Sequence, residues 1–277
     1  MTHDLMHHIA LRPGDVGRYV LLPGDPGRCE RIARHFDDAR LVASNREYET
    51  WTGSLDGVRV SVTSTGIGCP STAIAVEELL QCGADTFIRV GTAGGMQPGM
   101  ATGELANVTA AIRDEGTTSH YLPMAFPAIA DLDVVLALRE AARRTGARVR
   151  EGVSQSKDSF YGEIEPGRMP LRERLEERWA AFIAGGAICS EMEAAAIFII
   201  ASIHRARAGG IMACAGNPAM TEAEVSASMA GFDLDEVIAT AVEGLRVLIE
   251  RDGAVGRVAG RDGAAWADGR STGVTRA

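Results

Sequence analysis

Residues 86–95 read Thr-Phe-Ile-Arg-Val-Gly-Thr-Ala-Gly-Gly, a short apolar run with one arginine inside it that passes directly into a glycine-rich turn. A buried strand looks like this when both faces are covered and the chain must turn tightly at its exit. The same grammar recurs upstream. Tyr19–Leu22 runs into Pro23-Gly24-Asp25-Pro26-Gly27-Arg28, and Val58–Thr63 into Thr65-Gly66-Ile67-Gly68-Cys69-Pro70-Ser71. Glu104–Ala110 and Ala208–Cys214 are further short apolar segments. Helical patterns lie between some of these strands, at Ser71–Gln81, Leu132–Arg144 and Glu193–Arg205, and Phe232–Ile249 reads as a last amphipathic helix. Strands alternating with helices predict an α/β fold with a substantially parallel sheet.

The chain has 277 residues, 46% of them hydrophobic, enough for one full core, and a single domain is expected over residues 1–250. From Arg251 to Ala277 the composition turns to Gly, Arg, Ala and Asp, which cannot form a core, so a disordered tail is expected there. With 28 basic against 37 acidic residues the net charge is −9, which offers no extended basic surface to a nucleic-acid backbone. No run reaches the roughly 18 apolar residues of a membrane span. The start, Met1-Thr2-His3-Asp4, lacks a basic region followed by an apolar stretch, so a cytoplasmic protein without a membrane partner is expected. The five cysteines, Cys29, Cys69, Cys82, Cys189 and Cys214, include no Cys-x-x-Cys, and no His cluster stands at metal-ligand spacing. Reduced thiols and no structural zinc follow.

Glycine turns by themselves indicate little more than tight strand exits. Two of the three, however, carry an arginine. Arg28 and Arg89 offer planar forked donors suited to a phosphate, Thr92 adds a hydroxyl, and bare backbone N–H groups can approach an anion. None of the turns has the Gly-x-x-x-x-Gly-Lys-Ser/Thr form, and Gly66-Ile67-Gly68 has no glycine three residues on, so neither a nucleoside-triphosphate loop nor a dinucleotide fingerprint is present. A small free phosphate fits better. A second cluster, Ser190-Glu191-Met192-Glu193, opens the apolar helix that follows it. Its carboxylates either complement the helix dipole or, in the case of Glu193, accept hydrogen bonds from sugar hydroxyls, with the Met192 thioether packing on the ring.

Five of these motifs occur together and in order: Pro-Gly-Asp-Pro-x-Arg, Ser-Thr-Gly-Ile-Gly-x-Pro-Ser, Arg-x-Gly-Thr, Asp158-Ser159-Phe160-Tyr161-Gly162 and Glu-Met-Glu. In this the chain resembles the uridine phosphorylase branch of the nucleoside phosphorylase and nucleosidase superfamily, from about His8 to the last helix. The resemblance implies a Rossmann-like three-layer α/β fold around a mixed, barrel-like central sheet, in homodimers that build a hexamer. It implies phosphate binding by Gly24, Arg28, Arg89 and Thr92, with Arg46 reaching in from a neighbouring subunit. Ribose would be held by Met192 and Glu193, and by the neighbour's His8. The base would meet Phe160, which stacks on it, Arg168, which addresses its oxygens, and Gly94. No organic cofactor is implied; inorganic phosphate is the cosubstrate. Some relatives hold a potassium ion, for which Glu47, Ile67 and Ser71 are the matching positions.

The activity implied is phosphorolysis of a pyrimidine nucleoside, uridine plus phosphate giving uracil and ribose 1-phosphate. Arg28, Arg46 and Arg89 would gather the nucleophile, and Arg168 would stabilise charge on the departing base. Purine-cleaving relatives carry a Ser-Asp pair where this chain has Ala213-Cys214-Ala215-Gly216-Asn217, and Asn217 is a poor general acid. Three departures bear on the base: Ala93, Pro218, and a glutamate, Glu163 or Glu165, where uridine phosphorylases place a glutamine. An ionised glutamate only accepts hydrogen bonds. It either meets the base edge, favouring an unusual, modified or purine nucleoside, or turns to solvent. A water-using nucleosidase would not need three arginines, and a non-catalytic nucleoside sensor would not need Glu193 beside them.

Overall fold

The structure, a computed structural model, describes residues 5–217, 220 and 232–254. Its centre is β5 (Thr86–Gly95), whose Phe87, Ile88 and Val90 are at most 2% exposed, as a strand covered on both faces requires. β5 pairs in parallel with β1 (Tyr19–Leu22) on one side and with β10 (Arg207–Cys214) on the other. Beyond the end of β1, the last residues of β5 pair instead with β9 (Cys189–Glu191), Gly94 opposite Ser190. β9 pairs with β8 (Val149–Lys157), β8 with β6 (Leu105–Asp114), and β6 with β10, which closes a five-stranded ring on β5. From β1 the sheet extends outward through β4 (Val58–Thr63), β3 (Tyr48–Leu55) and β2 (Asp37–Asn45). The short β7 (Ala128–Ile129) edges β6. Parallel and antiparallel pairs are thus mixed, and the sheet is barrel-like, as expected.

Helices complete three layers. On one face α2 (Cys69–Gln81) packs on α6 (Ala194–His204), whose residues Ala194–Ala201 are all buried. A helix apolar on every side belongs inside a core. On the other face α3 (Leu132–Thr145) packs on the last helix, α7 (Asp235–Ala254). Asp131 caps α3 by accepting the N–H groups of Asp133 and Val134, and Gly146, at φ 77°, ends it. Short helices α1 (Cys29–Ala33) and α4 (Phe160–Ile164) follow the first turn and β8, and α5 (Arg172–Ala184) covers α4.

The strands and helices expected from sequence are present, with shifted ends. α7 begins three residues later than the pattern suggested and continues to Ala254, because Asp252 is buried and held there: Arg207 donates to it at 2.9 and 2.5 Å and the Tyr19 hydroxyl at 2.7 Å. Residues 251–254 of the expected tail are therefore helical, and the remainder lies outside the described residues, as does Pro218. The hairpin β2–β3, β8, β9 and α5 had no clear sequence signal. β8 is largely polar because it lines the site, and α5 buries no residue, so neither has an apolar period to read. All five cysteines are buried and free. No helix among the described residues is long and apolar enough to cross a membrane.

Candidate active site

Arg89 lies inside β5, 4% exposed, between two carboxylates delivered by the β9–α6 junction. Its Nε is 2.9 Å from Glu191 Oε2, although off-axis, so this N–H has no aligned acceptor. Its terminal nitrogen pairs with Glu193. Burial alone would lower the Arg89 pKa, but Glu193 and Glu191 outweigh it and hold the guanidinium above its ordinary value. For Glu193 burial wins: together with the Glu191 charge it raises the carboxyl above its usual range, against the pull of Arg89.

The two glutamates divide the roles that sequence left open between them. Glu191 serves the helix: its Oε2 accepts the N–H groups of Glu193 and Ala194, each at 2.8 Å, while Ser156 donates to Oε1. Glu193 faces the glycine turns, and its Oε1 accepts the Gly68 N–H at 2.7 Å. Gly68 has φ +93°, which a residue with a side chain adopts only under strain, so the turn can present that N–H without cost. At Gly91 a Cβ would stand 3.1 Å from the Arg89 guanidinium. The bare backbone leaves room for the arginine to lie over it.

The first turn approaches the same place. Asp25 accepts the Gly27 N–H at 2.9 Å and shapes a single 3-10 turn, Pro26–Arg28, that sets Arg28 beside it. Burial, with the nearby Arg89 charge, lowers the Arg28 pKa, while Asp25 and Glu193 oppose the shift. Arg28 therefore shares one electrostatic environment with Arg89 and Glu193. Gly24 packs against the second turn, where its Cβ would be 3.2 Å from the Gly66 carbonyl oxygen. Thr92, half-buried, lies three residues beyond Arg89 on the same strand.

His8 and Arg46 share a patch next to the second glycine turn, which Glu47 contacts through Ser71. The Asn45 side chain donates to the His8 carbonyl at 2.8 Å, placing His8 beside the β2–β3 turn that carries exposed Arg46. His8 is strapped to α2 by Glu78, which accepts its backbone N–H at 3.0 Å and pairs with its Nδ1 at 2.6 Å. Among the described residues no hydrogen bond or ion pair joins His8 or Arg46 to Arg28, Arg89 or Glu193. In the same turn Glu47 accepts from Ser71 at 2.8 Å, and Ile67 is 78% exposed. No group of three or more His, Cys, Asp or Glu among the described residues is arranged to hold a metal ion.

The cluster around Phe160 and Glu163, where the sequence reading expected the base, contains a residue that reading missed. Phe160 opens α4, half-exposed, and Lys157 Nζ lies 6.0 Å from its ring centroid. Lys157, at 7% exposure, is 2.5 Å from Glu163 Oε1 and 2.5 Å from Ser190 Oγ, and Ser190 donates to Glu163 Oε2 at 2.9 Å. Glu163 thus turns inward, not to solvent. Burial raises its carboxyl above the ordinary range while Lys157 opposes the shift. Glu165 turns outward and pairs with Arg168, which is exposed; among the described residues no hydrogen bond or ion pair joins Arg168 to this cluster. A cavity of about 230 Å³ opens beside Lys157, Glu163 and Gln155. Gly94, exposed, pairs with Ser190, and the Asn217 amide donates to the Met100 carbonyl at 2.6 Å. Strand alternation could have pointed to Lys157, since it shares the Gln155 side of β8, opposite Ser190.

Comparison with known proteins agrees with this geometry. The family described as Phosphorylase superfamily matches residues 18–251. The chain is 47% identical to a uridine phosphorylase of Treponema pallidum over 249 residues, 90% of this chain and 96% of the relative. It is 48% identical to a uridine phosphorylase of Thermococcus kodakarensis over 220 residues, 79% of each. It is also 40% identical to a guanosine phosphorylase of Halorubrum lacusprofundi over 210 residues, 76% of this chain and 83% of the relative. A family match over most of the chain and a closed mixed sheet whose turns converge on Arg28, Arg89 and Glu193 lead to one conclusion: the chain belongs to the phosphorylase superfamily.

Proposed function

We propose that this protein cleaves uridine with inorganic phosphate, giving uracil and ribose 1-phosphate. The observation that carries the reading is the buried Arg89, held by Glu191 and Glu193 where the glycine turns bring Arg28 and bare N–H groups to the same point. Phosphate binds Gly24, Arg28, Arg89 and Thr92. Ribose lies on Met192, its hydroxyls donating to the Glu193 carboxylate. A phosphate oxygen bonds to C1′ as the C1′–N1 bond breaks through an oxocarbenium-like ribose, and the base takes the electron pair, later gaining a proton from water. Phe160 stacks on the base beside Gly94. Lys157 stabilises the charge arriving on it; Arg168 joins only if it leaves Glu165.

Two further assignments extend the proposal beyond one chain. Arg46 and His8, together on one patch and not bonded to Arg28, Arg89 or Glu193 of their own chain, complete the site of a neighbouring subunit, Arg46 at the phosphate and His8 at the ribose. That arrangement makes a homodimer the smallest active unit, and a hexamer its assembly. A potassium ion at Glu47, Ile67 and Ser71 would steady that contact, and a cytoplasmic location suits buried free thiols.

The test is base release from uridine, deoxyuridine, thymidine, cytidine, inosine and adenosine, each with and without phosphate. Uracil release that requires phosphate sustains the proposal. Absence of pyrimidine release, or release indifferent to phosphate, overturns it.

A further inference from the structure

Glu78 gives its whole carboxylate to one neighbouring stretch of chain. Its Oε2 accepts the N–H groups of His8 at 3.0 Å and Ile9 at 2.9 Å, and its Oε1 lies 2.6 Å from His8 Nδ1. Among the described residues no arginine or lysine pairs with it, although its side chain is only 12% exposed. Residue 8 is fixed from other directions too. The Asn45 amide donates to its carbonyl at 2.8 Å, and the His7 ring meets its ring edge-on with centroids 4.7 Å apart. Ile9 and Leu11, both fully buried, already anchor the segment to the core. The contact of Oε1 with Nδ1 therefore adds little to holding the chain in place. What it fixes is the imidazole.

The direction of that hydrogen bond follows from its partners. A carboxylate that already receives two backbone N–H groups is an acceptor, so the hydrogen of the 2.6 Å contact is on Nδ1. A neutral ring with its hydrogen on Nδ1 has its lone pair on Nε2. Among the described residues no hydrogen bond reaches Nε2, on a side chain that is 35% exposed. His8 is thus a histidine oriented to accept one hydrogen bond from outside its own chain.

The ribose of the proposed site has one hydroxyl to give. Its adjacent 2′ and 3′ hydroxyls match the two oxygens of one carboxylate, Glu193, and phosphate attacks at C1′, which leaves the hydroxyl at 5′. We infer that Glu78 is a positioning residue, which fixes the tautomer and direction of His8 so that Nε2 accepts the 5′-hydroxyl of a nucleoside bound in the neighbouring subunit. The inference rests on the phosphorolysis and the shared site proposed above. It also gives the site a means of choosing its sugar. A 5′-deoxyribose brings no donor to Nε2, and a 5′-phosphate brings negative charge to a lone pair backed by a carboxylate.

The experiment is phosphate-dependent uracil release from uridine and from 5′-deoxyuridine by the full chain, as wild type, Glu78→Ala, His8→Ala and the double variant. The quantity read is the ratio of kcat/KM for uridine to that for 5′-deoxyuridine. In the wild type it is expected to be at least about tenfold, because a site built to bond a hydroxyl rejects the analogue without it. Glu78→Ala is expected to lower the ratio at least about threefold, the scale of one hydrogen bond, through the KM for uridine. The double variant is expected to lower it no further than His8→Ala does, since the two side chains act as one unit. A Glu78 that only steadied α2 would slow both substrates alike, and an unchanged ratio overturns the inference. A wild-type ratio near one overturns it as well, while uracil release leaves the phosphorolysis reading standing. Absence of uracil release from both substrates in the wild type removes that reading too. If Glu78→Ala does not fold, nitrogen NMR of the wild-type imidazoles, at a pH where His8 is neutral, decides the matter: hydrogen on Nδ1 sustains the inference and hydrogen on Nε2 ends it.

Discussion

The two ends of the site are built by different means. At the proposed phosphate and ribose end Arg28 follows a tight turn and Arg89 lies inside β5, and the glycine turns meet beside them because strands β1, β4 and β5 run parallel. At the base end the contacts join the last residues of β8, the first turn of α4 and the middle of β9, segments up to 33 residues apart in the Lys157–Ser190 contact. The first end combines local glycine turns with the long-range contacts of Glu193 to Gly68 and Arg89, whereas the second rests on side-chain pairing among β8, α4 and β9. The first should therefore tolerate almost no change, whereas the second should change specificity before it loses activity.

The largest effect is expected at Arg89. Arg89→Met removes the cation between Glu191 and Glu193 and leaves two buried carboxylates unpaired, a change that typically costs about 3–5 kcal/mol of stability. It also removes a preorganised charge from the phosphate, for which losses of about 10²–10³ in rate are usual. Thermal unfolding and phosphorolysis rates should both register it. A variant that unfolds at the wild-type temperature and retains phosphate affinity would show that the buried triad is not the centre of the site.

Lys157→Met comes next and acts on the other end. It removes the cation proposed to face the leaving base while sparing Arg28, Arg89 and Glu193. The expected outcome is a fall of about 10² in kcat with the phosphate KM nearly unchanged, since charge at the base develops only in the transition state. A loss falling mainly on the phosphate KM would erase the division between the two ends.

Acid sensitivity should separate them further. Burial and Glu191 raise the Glu193 carboxyl above its ordinary value, and in the proposed site the ionised form accepts the ribose hydroxyls. Because the raised group ionises only at a pH above the usual carboxylate range, about 4.3 for a free glutamate, kcat/KM for the nucleoside should rise with pH through a value higher than that. Below it the slope should be about tenfold per pH unit for one proton. Glu193→Gln should be slower and lack this limb. A limb that persists in the variant belongs to another group.

Legibility in the sequence follows the same division. The strands that bury both faces, the glycine turns and Glu-Met-Glu could be read because each is a contiguous pattern with a local cause. The ring closure by β8 and β9 could not be, since β8 carries Gln155, Ser156 and Lys157 where an apolar period would mark a strand. Glu163 could be flagged as unusual, but its direction depended on Lys157 and Ser190, whose proximity only the fold creates. His8 and Arg46 are a third case: the sequence resemblance supplied their roles, and the chain's own fold shows only that they share a patch.

The smallest effect is expected at Arg168, the cation that sequence resemblance assigned to the base oxygens. Its guanidinium is exposed and pairs with Glu165 one 3-10 turn away, so reaching the base would require that pair to break and the segment after α4 to move. Lys157 already occupies the buried position beside Glu163. Arg168→Ala should therefore change uridine kcat/KM by less than about threefold, within the range of a surface ion pair that contributes little. Steady-state kinetics at saturating phosphate decide the matter. A loss as large as that of Lys157→Met would mean that α4 and the turn after it close over the base during the reaction. The base end would then be assembled by the substrate, and the contrast between the two ends would lie in when each forms.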